Sequence, residues 1–338
     1  MKKLIILILL FGTVISCNNL QKKEIAQYTI EQFMNNVSIS GSSFSPNESK
    51  ILFTSNESGI YNVYEINLDG SNKNQLTNRD ESTFIVSCFP NDERILITSD
   101  QGGNEIYHLY LREPDGTIND ITPFENARAS FAGWSRDFKS FYIQSNKRDP
   151  RFMDLYEMDI ETFEPTLVFE NNEGYYIGPV SADKNFIALS QPVSRSYTKM
   201  YLFDKSKNEI TELKNNEETT YSPVEFSNDS KTLYYLTDYN NEFTYVEKIN
   251  LDNLQSEMVY KTNWDVMYVS HSFNEKYRII GINQDAKTDI KIFESSTGNE
   301  IKFPGLEGKD ISSVNISKSE NLMSFYVSSS KTPRDLFV

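Results

Sequence analysis

The chain has 338 residues, with 33 Lys and Arg against 48 Asp and Glu, so its formal net charge is −15. This acidic balance argues against nucleic acid as a partner, because the phosphate backbone attracts positively charged surfaces. Phe, Tyr and Trp make up 13% of the residues. That fraction favours packed β-strands over a disordered chain.

The first sixteen residues have the pattern of a secretory signal peptide. Lys2 and Lys3 precede a mainly apolar run over residues 4–15, which is too short to span a bilayer comfortably. Ser16 stands directly before Cys17, and this arrangement resembles the bacterial lipobox. The resemblance implies cleavage before Cys17 and acylation of the cysteine, and the acyl chains would anchor the protein firmly. The alternative is an ordinary signal peptide with an incidental cysteine.

Residues 17–27 are therefore expected to form a polar, lipid-anchored tether. The predicted location is the bacterial cell envelope, on the extracytoplasmic (periplasmic) side, with the membrane reached through the lipid anchor alone. Cys88 is the other cysteine of the chain, so acylation of Cys17 leaves no pair for an intramolecular disulfide. Cys88 lies in a strand-like run, where we expect it to be buried as a small hydrophobic residue.

From Phe44 onwards, one pattern occurs seven times. In each copy an aromatic or aliphatic residue opens a short polar turn that leads into a β-rich apolar stretch. The copies begin at Phe44, Phe89, Trp134, Val180, Phe226, Phe273 and Ile316, in steps of 43 to 47 residues. A repeat of about 40 to 50 residues with four short strand patterns is typical of a β-propeller blade.

The sequence therefore predicts an all-β, seven-bladed β-propeller over residues 28–338. The blades are expected to start near residues 37, 83, 128, 175, 220, 266 and 311. Blade two shows how one repeat holds four strands. We expect strands over residues 84–88, 94–98, 105–111 and 118–122, separated by turns rich in Pro, Asn, Asp and Gly.

The seventh repeat is shorter than the others. Residues 322–328 match a second strand, and residues 335–338 resemble the start of a third. We therefore expect an incomplete last blade and a chain that is part of a longer protein. The alternative is that residues 28–33 or 37–39 add a strand that closes the ring, because an open sheet edge invites pairing with other chains.

Three stretches carry a family resemblance: residues 28–70, the blade endings at Leu76 and Ile121 with the threonine that follows each, and residues 141–162 (FYIQSNKRDPRFMDLYEMDIET). They resemble the N-terminal propeller of the prolyl oligopeptidase (S9) family of serine peptidases, in particular its bacterial acylaminoacyl-peptidase and dipeptidyl-peptidase-like branch. The resemblance covers about residues 27–338. It implies a propeller that caps a C-terminal α/β-hydrolase domain with a Ser, Asp and His triad, and that filters peptides by size. The same repeats are similar to the propeller of the periplasmic protein TolB.

No catalytic triad can be assembled from this sequence. A nucleophile elbow needs Gly-x-Ser-x-Gly, but the one glycine pair at that spacing, Gly174 and Gly178, frames Tyr176. His108 and His271 lie in predicted strands, and neither accompanies a Gly-framed serine. We therefore expect no catalytic residue in the chain.

Metal and cofactor sites are not expected either, because the sequence contains no CxxC, HExxH or glycine-rich phosphate loop. The predicted function is the non-catalytic, substrate-gating propeller of an exported S9-type peptidase, with a peptide substrate or a hydrolase domain as partner. The alternative is a stand-alone, TolB-like lipoprotein that binds a protein partner. A carbohydrate-active propeller is a third possibility, for which Tyr175 and Tyr176 are the suggestive aromatic residues.

One basic loop, residues 146–152 (NKRDPRF), stands out in this acidic chain. Arg148 or Arg151 is a candidate to bind a carboxylate of a peptide substrate or of a neighbouring domain, through a forked, charge-assisted pair. The competing interpretation is an internal salt bridge to Asp149 or Asp154 that orders the loop.

Overall fold

The structure is a computed structural model that describes residues 27–302, 306 and 309–338. The predicted signal peptide, Cys17 and nearly all of the predicted tether lie outside the described residues. The chain divides into two compact units, Met1–Val37 and Ser38–Val338.

In the first unit, the described residues contain one short helix, α1 (Ile30–Met34). Thr29 caps it: its hydroxyl accepts a hydrogen bond from the Gln32 amide, and the Gln32 side chain accepts one from the Thr29 amide. This reciprocal pair is a capping box. The helical conformation contradicts the alternative in which residues 28–33 add a strand to the last blade.

The second unit consists of antiparallel sheets that follow one another along the chain, with strands paired in chain order. The first sheet comprises β1 (Ile39–Phe44), β2 (Lys50–Ser55), β3 (Asn62–Asn67) and β4 (Asn74–Gln75). The second comprises β5 (Thr83–Cys88), β6 (Ile95–Ser99), β7 (His108–Arg112) and β8 (Ile118–Asp120). The third comprises β9 (Ala129–Trp134), β10 (Ser140–Ser145), β11 (Asp154–Asp159) and β12 (Pro165–Phe169). The fourth comprises β13 (Tyr176–Val180), β14 (Phe186–Ser194), β15 (Tyr197–Asp204) and β16 (Glu209–Lys214).

The remaining sheets continue the series. The fifth comprises β17 (Tyr221–Phe226), β18 (Thr232–Thr237), β19 (Tyr245–Asn250) and β20 (Ser256–Tyr260). The sixth comprises β21 (Asp265–His271), β22 (Tyr277–Gln284), β23 (Lys287–Glu294) and β24 (Glu300–Ile301). The seventh has three strands, β25 (Asp310–Ile316), β26 (Met323–Ser329) and β27 (Thr332–Phe337). The prediction of a seven-bladed β-propeller with an incomplete last blade is confirmed.

The four strands of a blade, called A to D in chain order, differ in burial. First strands of neighbouring blades lie side by side, as β1 does with β5 and β13 with β17, so the A strands surround the central channel. The D strands are largely exposed, as in β16 and β20. The middle strands are buried on both faces, which explains why β2 reads as a nearly continuous apolar run.

Apolar clusters join consecutive blades. Between blades two and three, for example, Leu96, Phe141 and Met158 are all completely buried in one cluster. Corresponding clusters lie at the other junctions from blade one to blade seven. Burial of apolar surface between neighbouring sheets is therefore the main stabilising contribution in this fold.

The threonines at the blade endings have a structural role. The Thr77 hydroxyl accepts a hydrogen bond from the Val63 amide at 2.9 Å, and the Thr122 hydroxyl accepts one from the Leu109 amide at 2.8 Å. Both threonines are buried. They therefore satisfy buried amides of strand C that would otherwise lack a partner.

Strand C of blade two is shorter than the predicted 105–111. Glu105 has a φ of 59°, and its amide donates to the Asp100 carboxylate. The Ile106 amide donates to the Asn104 side chain. Because these amides are bonded within the loop, they do not join the sheet, and β7 begins at His108.

Blade seven meets blade one through hydrogen bonds. The Tyr326 hydroxyl donates to the Gly41 carbonyl at 2.5 Å, and the Ser42 and Ser324 hydroxyls are 3.3 Å apart. The Glu48 carboxylate accepts from the Ser319 amide at 2.7 Å and from the Ser317 hydroxyl at 3.0 Å. Ile39 belongs to β1 and pairs with Ser55 of β2, so it contributes to blade one rather than to the seventh sheet.

Replacing Glu48 by Gln should destabilise the junction between blades one and seven. Burial by itself raises the pKa of Glu48, but hydrogen bonds from Ser319 and Ser317 outweigh it, so the pKa is lowered in the folded protein. The ionised carboxylate therefore contributes its full stabilisation at pH values above about 4.3, the pKa of Glu in the unfolded chain. This contribution is lost as the pH falls through the lower pKa of the folded protein. We expect Glu48→Gln to lower the free energy of unfolding by about 1–2 kcal/mol at neutral pH, measured by chemical denaturation.

The difference in the free energy of unfolding between the unsubstituted protein and Glu48→Gln should become smaller below about pH 4. A suitable control is Glu257→Gln, because the Glu257 side chain is 73% exposed and its carboxylate lies 3.3 Å from the Lys248 ammonium. That change should cost less than about 0.5 kcal/mol. Equal effects of the two substitutions would contradict the role assigned to Glu48.

Candidate functional site

The two faces of the propeller carry different connections. Since strands alternate in direction, the A to B and C to D turns lie on one face, called the turn face. The B to C loops and the connections between blades lie on the other, called the loop face. The predicted basic loop, residues 146–152, joins β10 to β11 and therefore belongs to the loop face of blade three.

Arg148 is bound within the protein. Its Nε lies 2.7 Å from Oδ2 of Asp154, and its Nη2 lies 2.8 Å from Oδ1 of the same carboxylate. Nη2 also donates to the Asn171 carbonyl at 2.9 Å. The Asp154 side chain is completely buried, and its hydrogen bonds raise the pKa of Arg148. Arg148 thus connects the basic loop to the segment that leads into blade four.

Arg151 is placed differently. Its Nη2 lies 2.7 Å from Oδ2 of Asp149, but 74% of the Arg151 side chain is exposed. Hydrogen bonds from Arg151 lower the pKa of Asp149 to about 2. Both arginines thus form internal ion pairs, to Asp154 and Asp149. Only Arg151 can turn toward a ligand carboxylate without leaving a buried carboxylate unpaired, and such a contact stays a prediction.

The neighbouring connection between blades three and four extends this surface. The Asn171 amide group donates to the carbonyls of Met153 and Tyr175, which links the basic loop to the start of β13. Tyr175 packs edge-to-face against Tyr201, with ring centroids 5.3 Å apart. Tyr176 is 66% exposed, so of the two tyrosines it is the one available to a ligand.

The histidines are hydrogen-bonded to carboxylates, and Cys88 is buried. His108 Nδ1 is 2.7 Å from the Asp120 carboxylate, and His271 is hydrogen-bonded to Glu225 on the A strand of blade five. Burial raises the pKa of Cys88 to about 11, which disfavours the reactive thiolate. Among the described residues, no group of three or more His, Cys, Asp or Glu side chains is arranged to hold a metal ion.

A central cavity of about 560 Å³ lies beneath the turn face. Its lining includes aromatic side chains from strands and turns of blades one, two, three and six: Phe44, Phe89, Phe131, Trp134, Phe138 and Phe273. The sequence analysis missed this cavity. Phe44 and Trp134 stand at the same position of the repeat, at the end of an A strand and directly before the turn serine, so the repeat marks these two of the six.

The family model described as the prolyl oligopeptidase N-terminal β-propeller domain matches residues 72–338, well over half of the chain. The chain belongs to this family. It is thus a prolyl oligopeptidase propeller, and the resemblance seen in the sequence is confirmed. A search of curated proteins found no match.

Solved structures show the same fold. One is a prolyl endopeptidase from a study of two such enzymes and of the role of inter-domain dynamics in their catalysis and specificity. It is 14% identical to this chain, with a TM-score of 0.69. The match covers 89% of this chain and 48% of that enzyme. An oligogalacturonate lyase in complex with manganese is 14% identical with a TM-score of 0.67, over 89% of both chains. TolB from Acinetobacter baumannii is 19% identical with a TM-score of 0.42, over 65% of this chain and 53% of TolB. This propeller spans about half the length of the prolyl endopeptidase.

Arg148 and Arg151 should differ in their effect on stability. We expect Arg148→Gln to lower the midpoint of thermal unfolding by several degrees, because it leaves the buried Asp154 carboxylate without its ionic partner. Arg151→Gln is the matched control in the same loop, and it should leave the midpoint nearly unchanged, since most of the Arg151 side chain is exposed to solvent. Circular dichroism during heating measures both. A larger effect of Arg151→Gln would contradict these assignments.

Proposed function

We propose that this propeller is the non-catalytic, substrate-gating part of an exported serine peptidase of the prolyl oligopeptidase type. The peptidase would hydrolyse peptides with an α/β-hydrolase domain that lies outside these 338 residues. The observation that carries the proposal is the family match over residues 72–338. The structural match to a prolyl endopeptidase supports the proposal, because this chain covers only 48% of that enzyme. A protein as long as that enzyme has room for a second domain beside the propeller.

The ring architecture supports a gating role. Seven sheets are arranged around an axial channel. An extended peptide passes through such a channel more readily than a folded protein, so a peptidase behind the channel would be restricted to short or unfolded substrates.

The junction of blades one and seven supports the same role. It is held by hydrogen bonds that involve residues such as Tyr326, Ser324 and Ser319, whereas the six apolar clusters lie at the other junctions. Separating two blades exposes the surface between them to water. The free-energy cost of separation is largest where that surface is apolar. The junction of blades one and seven is therefore the one that would open at the lowest cost.

The loop face of blade three is the proposed contact surface for the peptide or the hydrolase domain. Arg151 supplies an exposed guanidinium there, and Tyr176 supplies an exposed aromatic ring. A carboxylate can compete with Asp149 for Arg151 because most of the Arg151 side chain is exposed. Arg148 supports the loop from beneath through Asp154.

We also propose that the protein is a lipoprotein of the bacterial envelope, held on the extracytoplasmic side by Cys17. The basic start, the apolar run and the Ser16 and Cys17 pair support this location. The described residues include no helix with the length and apolar character needed to cross a bilayer.

The size and reactivity of the native product test the peptidase proposal. Antibodies against the propeller should isolate, from cells that make it, a polypeptide larger than this chain that a fluorophosphonate probe labels at a serine. The isolated 338-residue chain should not react with the probe, because it contains no Gly-x-Ser-x-Gly motif. A native product of the size of this chain that stays unlabelled would refute the proposal and favour a stand-alone propeller that binds a protein partner.

Substitution of Cys17 tests the anchor. In bacterial cells, Cys17→Ser should abolish incorporation of labelled palmitate and shift the protein from the membrane fraction to the soluble fraction. Cys88→Ser is the control, since Cys88 is buried in the propeller and should carry no lipid. Retention of Cys17→Ser in the membrane fraction would contradict the lipoprotein proposal.

A further inference from the structure

The A to B turns of the propeller form a ring of contacts on the turn face. In six of them one residue has a positive φ: Glu48, Phe138, Lys184, Ser230, Glu275 and Glu320. Non-glycine residues rarely adopt this conformation, and it is least favourable for bulky side chains. Its recurrence at one position of the repeat indicates a common use for the side chain there.

Five of these side chains bind the preceding blade. Glu48 accepts hydrogen bonds from the turn of blade seven, and Glu320 accepts them from the turn of blade six. The Glu275 carboxylate accepts one from the Asn228 amide of blade five at 2.6 Å. Lys184 contacts Glu157 of blade three at 2.8 Å, and the Ser230 hydroxyl accepts from Asp183 of blade four. The common use is to connect each turn to its neighbour.

Phe138 of blade three is the exception. Its ring stacks on Phe273 of blade six, with centroids 5.2 Å apart and planes at 16°. Blades three and six are three steps apart, which is the greatest separation possible in a ring of seven. A contact between their turns must therefore cross the end of the central channel.

Two cations hold this stack in place. The guanidinium carbon of Arg136 lies 3.5 Å from the centroid of Phe273, and the Lys318 ammonium lies 4.3 Å from that of Phe138. Lys318 belongs to blade seven and also donates to the Asn91 side chain of blade two, at 3.3 Å. Cation–π contacts of this kind stabilise the rings where they lie. The stack is thus connected to blades two, three, six and seven.

The stack borders the central cavity, since Phe138 and Phe273 both contribute to its lining. Its volume of about 560 Å³ falls within the range of about 300–1,000 Å³ typical of small-molecule sites. A stack that joins the turns of blades three and six therefore narrows the channel at the turn face.

We propose that Phe138 and Phe273 form a plug that closes the channel at the turn face, and that Phe138 thereby determines whether extended peptides enter from that side. The inference rests on the proposed gating function, and it specifies the face that is closed. Peptides would then reach the channel from the loop face or through the junction of blades one and seven.

Chemical labelling of the cavity tests the plug. Val86 lines the cavity, so Val86→Cys places a reporter thiol there, in a full-length chain that also carries Cys17→Ser and Cys88→Ala. Cys88 is replaced because it also borders a second cavity between blades one and two. The measured quantity is the rate of thiol modification by a small cationic methanethiosulfonate. Phe138→Gly should increase this rate about tenfold, which corresponds to the loss of one aromatic stack.

Phe163→Gly is the matched control. Phe163 lies in the same blade and has the same φ of 56°, but it packs against Phe89 and Phe141 in the apolar cluster between blades two and three. Glycine relieves the same backbone conformation at both positions, but of the two rings only that of Phe138 lines the cavity. Phe163→Gly should leave the labelling rate unchanged.

Phe273→Leu is a second variant that removes the stack from the opposite blade, and it should raise the rate as Phe138→Gly does. Unchanged labelling in the folded Phe138→Gly and Phe273→Leu proteins would overturn the proposal, and so would an equal increase in Phe163→Gly. Thermal unfolding identifies the folded variants. Because the assay needs no hydrolase domain, the plug can be refuted while the peptidase proposal stands, and the reverse also holds.

Discussion

Packing of each sheet against the next is the interaction on which this structure depends. The middle strands of every blade are apolar on both faces, so each sheet needs a neighbour on both sides. At six junctions this need is met by an apolar cluster between consecutive blades. The ring closes where blade seven meets blade one, and there the contact is made by hydrogen bonds such as that from Tyr326 to Gly41. One junction is thus chemically different from the others.

The A to B turns add a second layer of connections at one face. A turn residue with positive φ directs its side chain to the preceding blade in five cases, as Glu48 and Glu320 do. Blade two has Phe89 at the position where the other six turns begin with serine, and Phe89 is buried in the core. Phe138 lies in the A to B turn of the next blade, blade three. Its side chain reaches across the channel to Phe273 instead of binding the preceding blade. A local departure from the repeat therefore coincides with a contact that closes the channel.

The loop face has the opposite character. Its basic loop is ordered by the ion pair of Arg148 with the buried Asp154, while Arg151 and Tyr176 stay exposed. A rigid base with exposed charged and aromatic side chains is suited to recognition of a partner or a peptide. The two faces thus have different proposed roles. The turn face closes the channel, and the loop face contacts the peptide or the hydrolase domain.

The sequence by itself determined the seven-bladed fold and the short last blade, because strand alternation and turn residues are local signals that recur with each repeat. It also indicated the two possible salt bridges of the basic loop, since Asp149 and Asp154 are close in the chain to Arg148 and Arg151. Only the tertiary structure decided that Arg148 is bound to a buried carboxylate and Arg151 is exposed. It alone placed Phe138 against Phe273, since residues more than a hundred positions apart meet only when the ring closes.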